Sequence, residues 1–393
     1  MSPEMSTVVR RASAAVLAAG LVLAGTAPAH AGTGELLGAV WFDHVDDGGR
    51  EAWEPVRAGA PVTVVHLTTG QTRRITTDER GEFHLTGLPF GEYELSVDAR
   101  GYRPTTATTV RTAVDEASPV SKAGHFGMLG SAVTGFVWDD ADRDGRRAEA
   151  EAGIATAVAL IGRGDSGERV DRTATSQSDN PGGYYGFSDL PAGTYRVVPT
   201  VPEGYSPTAI GGGLFSDDSH ATGVPASTPP FRVEAANHDN WHIDLGLAPG
   251  AGTDPMLVNR QSFKCLDQAY PGGVATTAVN AHDCNNGDNQ RWSPRWVGVD
   301  TAVVVDRMSG WCLDQEYPHG SATTGVGAYP CNGGANQRWR IDYRPRDNYA
   351  TLVNEASGWC LDQEYPNGSM SYEVGAWPCN GGQNQTWYWK SWR

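Results

Sequence analysis

Three aspartates of the 393-residue chain stand in one short context: Asp267, Asp314 and Asp362 each fall two residues after a cysteine, in the segment Cys-Leu-Asp-Gln. A second cysteine follows the first by 19 residues, and two residues before it stands a ring: His282, Tyr329 or Trp377. An Asn-Gln pair comes soon after, as Asn289-Gln290, Asn336-Gln337 and Asn384-Gln385. A carboxylate accepts from two hydroxyls at once, an amide both donates and accepts, and an aromatic ring covers an apolar face. A pyranose presents vicinal hydroxyls and one C–H face, so each set has the chemistry to hold a sugar. The set with His282 has the poorest stacking ring. Structural roles stay open beside this one: turn-capping carboxylates, hairpin-forming amides and core aromatics. Tyr270, Tyr317 and Tyr365, each followed by Pro, are either a second aromatic wall or loop anchors.

A second chemistry is offered by Asp140, Asp142, Asp144, Gly145 and Glu151, which fit positions 1, 3, 5, 6 and 12 of a calcium loop. An acidic surface turn is the alternative. Asp43, Asp47, Gly48 and Glu54 repeat the pattern earlier, but Val45 stands where a ligand is wanted, so weak binding or none is expected there. Gly164-Asp165-Ser166-Gly167 resembles a protease nucleophile loop, yet a serine nucleophile needs a positioned histidine and acid, and the segment falls where a hairpin turn is expected. There is no His-Glu-x-x-His, Gly-x-Ser-x-Gly or phosphate loop, and neither an enzyme nor an organic cofactor is expected, although the many carboxylates leave a glycan-active enzyme with a glycosidase-type pair as a lesser alternative.

The elements that must position these residues come from two internal repeats. The sugar-type sets recur every 47 to 48 residues within 255–393, which suggests a closed three-fold β structure. Upstream, Val40-Trp41 answers to Val137-Trp138, and the run Leu88 to Tyr93 answers to Leu190 to Tyr195. These matches mark a tandem duplication, 32–130 and 131–248, followed by a short linker, 249–254, that should allow some reorientation. Alternating runs such as Val62 to Val65, separated by Gly, Pro and Asp turns, read as β-sandwiches. The fold class expected is therefore all-β, with two immunoglobulin-like (prealbumin-like) sandwiches and then a three-fold domain. Residues 206–230 are expected to form a long surface loop.

Residues 1–31 read as a secretory signal peptide: Arg10-Arg11, an apolar run and Ala29-His30-Ala31. A secreted, extracellular protein is expected, without membrane insertion and acting as a monomer. The end of the chain, Trp389 to Arg393, carries no hydrophobic tail or sortase-type signal, so wall anchoring is not expected. A formal charge of −16 argues against nucleic acid and anionic membranes as partners. All six cysteines lie after residue 260, and the constant spacing favours the pairs Cys265–Cys284, Cys312–Cys331 and Cys360–Cys379 over a zinc site.

The Cys-Leu-Asp start and Gln-x-Trp ending, three times over, resemble the ricin B-type lectins and family 13 carbohydrate-binding modules, which are β-trefoils. The resemblance implies that Trp292, Trp339 and Trp387 are core residues and that the Asp, ring and Asn-Gln positions bind carbohydrate. It also implies a further polar residue two before the ring, where this chain has Asn280, Gly327 and Gly375, leaving the second and third sites one hydrogen bond short. Because single sugar sites are weak, the expected partner is a repetitive polysaccharide or surface glycan bound by avidity. The Val-Trp, acidic loop, Leu-Pro-x-Gly-x-Tyr and Asp244-Leu-Gly-Leu247 layout is similar to the B-type domains of Gram-positive surface adhesins (SdrD B-like and Cna B-type). The first copy also resembles carboxypeptidase regulatory-like domains. This second resemblance implies spacer domains, and leaves open a structural protein whose sandwiches bind a protein partner.

Overall fold

The computed structural model describes residues 33–177, 182–208, 219–220, 226–235, 241–250, 254–344, 347 and 349–390. The expected signal peptide, most of the loop expected at 206–230, the middle of the linker and the last three residues lie outside them. Among the described residues the structure is all-β, with only single turns of 3-10 helix, and no helix is long and apolar enough to cross a membrane.

The two sandwiches are built to one plan. In the first, one sheet runs Glu82–Pro89, Thr33–Phe42, Val120–Leu129, Arg103–Pro104, and the other runs Thr72–Thr76, Pro61–His66, Gly91–Val97, Thr109–Val114. The second copy gives Tyr184–Leu190, Ser131–Asp139, Leu245–Pro249, Tyr205–Pro207 facing Arg169–Thr175, Ala157–Gly164, Gly193–Pro199, Phe231–Val233. Alternation puts Val62, Val64, Tyr93, Leu95, Phe126 and Met128 between the first pair of sheets, and Val158, Leu160, Tyr195, Val197, Leu245 and Leu247 between the second. The first strand of each copy lies parallel to the last long one.

Four strands per repeat make the C-terminal domain a β-trefoil. The outer strands of each repeat, such as Met256–Asn259 with Trp387–Lys390 and Thr301–Asp306 with Arg338–Arg344, form a barrel. The inner strands form three hairpins: Cys265–Gln268 with Val279–His282, Cys312–Gln315 with Val326–Tyr329, and Cys360–Gln363 with Val374–Trp377. The hairpins meet in a ring: Ala328 donates to the carbonyl of Thr277, Ala376 to that of Thr324, and Ala281 to that of Tyr372. Trp292, Trp339 and Trp387 are fully buried, and their indole N–H groups donate to the carbonyls of Leu266, Leu313 and Leu361. The disulfides are Cys265–Cys284, Cys312–Cys331 and Cys360–Cys379, closing each hairpin.

The second sandwich and the trefoil, which the linker is expected to let reorient to some degree, are in direct contact. Arg196 is buried, lies 4.5 Å from the centre of the Trp296 ring, and donates to the carbonyls of Val299 at 2.8 Å and Gly298 at 3.3 Å and to Ser227 at 2.9 Å. Burial pulls its pKa down to about 10. A desolvated guanidinium is tolerated only where acceptors and a ring face receive it, and the trefoil supplies both.

Candidate functional site

The three sugar-type sets are assembled on the hairpins. Cys312 faces Tyr329 and Asp314 faces Gly327 across the second one. Since i and i+2 share a face of a strand, ring and carboxylate look the same way. The third hairpin places Trp377 and Asp362 identically, and the first His282 and Asp267. Asp267, Asp314 and Asp362 are buried, at 8%, 6% and 4% exposure. Burial pushes all three carboxyls above the usual range, against the pull of amide donors.

Those donors are Gln290, Gln337 and Gln385, each 2.8 Å from the Asp Oδ2. Each glutamine also donates to a backbone carbonyl, of Asp283, Pro330 or Pro378, and accepts from the N–H of Asn285, Asn332 or Asn380. Both N–H groups and the oxygen are engaged and the side chain is buried, so the glutamines position the aspartates and do not themselves reach a ligand. Asn336 and Asn384 donate to Asp314 and Asp362 at 2.9 Å, whereas Asn289 donates to the carbonyl of Gln268 at 3.0 Å. None of the three rings is a core residue: Tyr329 is half-buried, and Trp377 and His282 are exposed.

Two features escape inspection of single repeats. Tyr372, from the third repeat, stacks on His282 of the first, with ring centroids 5.1 Å apart; the ring of carbonyl contacts between hairpins brings it there. The poorest of the three rings therefore gains a partner from another repeat. Glu316 and Glu364 follow the second and third Cys-Leu-Asp-Gln segments, where the first repeat has Ala269, a difference that lining up the three copies exposes. Tyr317 joins Asp314, Glu316 and Tyr329 around an open cavity of about 380 Å³. Tyr270 instead reaches Asp306 at 3.5 Å and serves as a loop anchor.

In the second sandwich the carboxylate oxygens of Asp140, Asp142 and Asp144 come within 4.8 Å of one another. Asp140 is fully buried and accepts from the N–H groups of Gly145 at 2.9 Å and Asp144 at 3.1 Å. Burial raises the pKa of Asp140 and of Glu151. Glu151 stands outside that cluster and accepts from Ala141 and Ala148. Three converging carboxylates, one of them desolvated, fit a hard cation with oxygen ligands. The first sandwich folds its loop the same way, with Gly48 donating to Asp43 at 2.8 Å and Val45 and Glu51 to Glu54, but Val45 brings no oxygen to position 3. Gly164 to Gly167 is a hairpin turn, closed by Gly164 and Glu168, in which Asp165 is paired with Arg232.

A lectin-type trefoil behind two adhesin-type sandwiches is the class these features define. Residues 255–387 match the ricin-type β-trefoil lectin domain, 131–247 the SdrD B-like domain and 54–123 the carboxypeptidase regulatory-like domain. Serine-aspartate repeat-containing protein C of Staphylococcus aureus (strain Newman) is 30% identical over 222 residues, which are 53% of this chain and 22% of that protein; the chain thus covers about a fifth of that relative's length. Among solved structures, the designed three-fold symmetric protein ThreeFoil is 33% identical (TM-score 0.31), with 35% of this chain and 98% of that one covered. The Macrolepiota procera ricin B-like lectin in complex with lactose is 18% identical (TM-score 0.29), with 36% and 97% covered.

Proposed function

We propose that the protein is a secreted, monomeric, non-catalytic carbohydrate-binding protein that engages a polysaccharide or surface glycan through several trefoil sites at once, with the sandwiches as a spacer. One observation carries this reading: in all three repeats a buried aspartate is held by a fully engaged glutamine beneath a non-core ring, so a desolvated acceptor and a stacking face are presented together. A polar ligand recovers little more in one such site than it loses in hydration, and gains when several sites engage one polymer. Retention of the full chain on insoluble polysaccharide or a glycan array is expected, and Asp314→Ala with Asp362→Ala should remove most of it. Undiminished binding by that folded double variant would sink the assignment. The similarity over 222 residues to a staphylococcal serine-aspartate repeat protein supports a second reading, in which the sandwiches bind a protein partner. Capture of cell-surface protein by the same double variant would favour it.

We further infer that the loop of the second sandwich takes calcium through Asp140, Asp142 and Asp144, with Glu151 ordering the loop backbone. Bound calcium would neutralise the gathered carboxylates and stiffen the spacer. At a hundred times its dissociation constant, calcium is expected to stabilise that domain by about 2.7 kcal/mol. Chelation should lower the thermal midpoint in the parent chain but not in Asp144→Ala; an equal response in both would exclude the site.

A further inference from the structure

The three trefoil sites differ in charge, and the difference follows from the hairpins. Ala269, Glu316 and Glu364 occupy one position of the repeat, two residues beyond the buried aspartate and hence on its face. Across the hairpin, the backbone N–H of each donates to Ala278, Gly325 and Glu373 respectively. The first site therefore has one carboxylate, Asp267; the second has Asp314 and Glu316; the third has Asp362, Glu364 and Glu373.

Glycines at 327 and 375 stand opposite Asp314 and Asp362 where the first repeat has Asn280. They put no side chain over the trough between ring and acids. In the second site Tyr329 reaches toward Glu316, Oη to Oε1 3.4 Å, and both line the open cavity with Asp314. In the third, the acids crowd one another and burial with the neighbouring Glu373 lifts the Glu364 carboxyl. Among the described residues none of these carboxylates is in an ion pair; the ion pairs of the trefoil join other residues. The first site has a lysine close by, Lys264, which pairs with Asp283 and lies 5.7 Å from the Tyr372 ring centre.

A neutral sugar offers only hydroxyls to such a trough and leaves the repulsion between its acids in place. A sugar with a protonated amine beside its hydroxyls offers three N–H donors and a positive charge, while the C–H face still lies on the ring. We propose that the second and third trefoil sites select amino sugars bearing a free, protonated amine, of the 2-amino-2-deoxyhexose class, and that Glu316 and Glu364 set this preference. The inference rests on the carbohydrate reading above. It turns the two glycines from a missing hydrogen bond into the opening that admits the amine.

The test is titration calorimetry of the full chain at pH 6 with glucosamine oligomers and their fully N-acetylated counterparts of equal length. The amino form should bind about tenfold more tightly or better, and Glu316→Gln with Glu364→Gln should bring the ratio of the two affinities close to one. Equal affinity for the two oligomers in the parent chain would overturn the proposal while leaving carbohydrate binding standing; binding to neither, with no other glycan bound, would overturn both. The same fall in the ratio on removing two remote surface charges, Glu79→Gln with Glu116→Gln, would mean that the preference is nothing more than attraction to an acidic protein, and would also overturn it. A preference that appears only when calcium is added would assign the acids to a metal instead.

Discussion

Asp306→Asn is expected to stabilise the trefoil at neutral pH by up to about 3 kcal/mol. The three repeats each place a polar side chain at the end of their first barrel strand: Asn259, Asp306 and Asn354, all fully buried. The amide of Asn259 donates to the carbonyl of Asn384 and that of Asn354 to the carbonyl of Asn336, both at 2.8 Å. By the same three-fold relation the carbonyl waiting for Asp306 belongs to Asn289. An ionised carboxylate has no proton to give, and its Oδ2 is buried without a hydrogen-bond partner. Burial accordingly lifts the pKa of Asp306 to about 6, against a pull from Ser309 N–H and O–H on Oδ1. The folded protein keeps the proton at pH values where the unfolded chain has released it, so the favourable contribution is complete below about pH 4, declines as pH rises toward 6 and is gone above. Asparagine restores the donor and removes the titration. Urea denaturation across pH 4 to 8 should show the variant pulling ahead of the parent between pH 4 and 6 and holding its lead above; parallel curves would refute the account.

The second large effect is expected at the junction of sandwich and trefoil. Arg196→Met keeps an apolar stem but strips the carbonyls of Val299 and Gly298 and the hydroxyl of Ser227 of their donor, and removes the cation from the Trp296 face. A loss of about 3 kcal/mol in docking energy is expected, since hydrogen bonds from a charged donor contribute roughly 1.5 to 3 kcal/mol and the contact with the ring face is lost with them. Scanning calorimetry of the full chain should then resolve trefoil and second sandwich as separate transitions where the parent couples them. Coupling that survives the substitution would show that apolar contact alone joins the two.

What the sequence discloses here depends on distance along the chain. Cys265, Cys312 and Cys360 with their partners, the three buried tryptophans and the paired sheets were legible because the repeats place equal residues at equal spacings, and one covalent or packing solution satisfies all copies. The Asn-Gln pairs were legible only as polar groups. That Asn336 and Asn384 turn toward the aspartate while the glutamines are wholly engaged with it and the backbone depends on burial, which spacing does not report. Tyr372 beside His282 and Arg196 beside Trp296 were hidden for another reason: each contact joins segments from different repeats or domains, about 90 to 100 residues apart, and periodicity carries no information about such meetings. Val305-Asp306 differs by a single atom type from Val258-Asn259 and Val353-Asn354, and only the unpartnered oxygen reveals that the change matters.

The parallel pairing of the first and the last long strand in each sandwich has a mechanical consequence. Chain enters the first sandwich through Thr33–Phe42, leaves through the adjacent Val120–Leu129, and passes after a single glycine, Gly130, into Ser131–Asp139, which pairs in the same sense with Leu245–Pro249. Tension drawn along the polypeptide slides each such pair along its own axis. The evenly spaced bonds of a parallel ladder then bear the load together and do not open one after another, so a trefoil gripping a surface would pull on a tether that resists in shear.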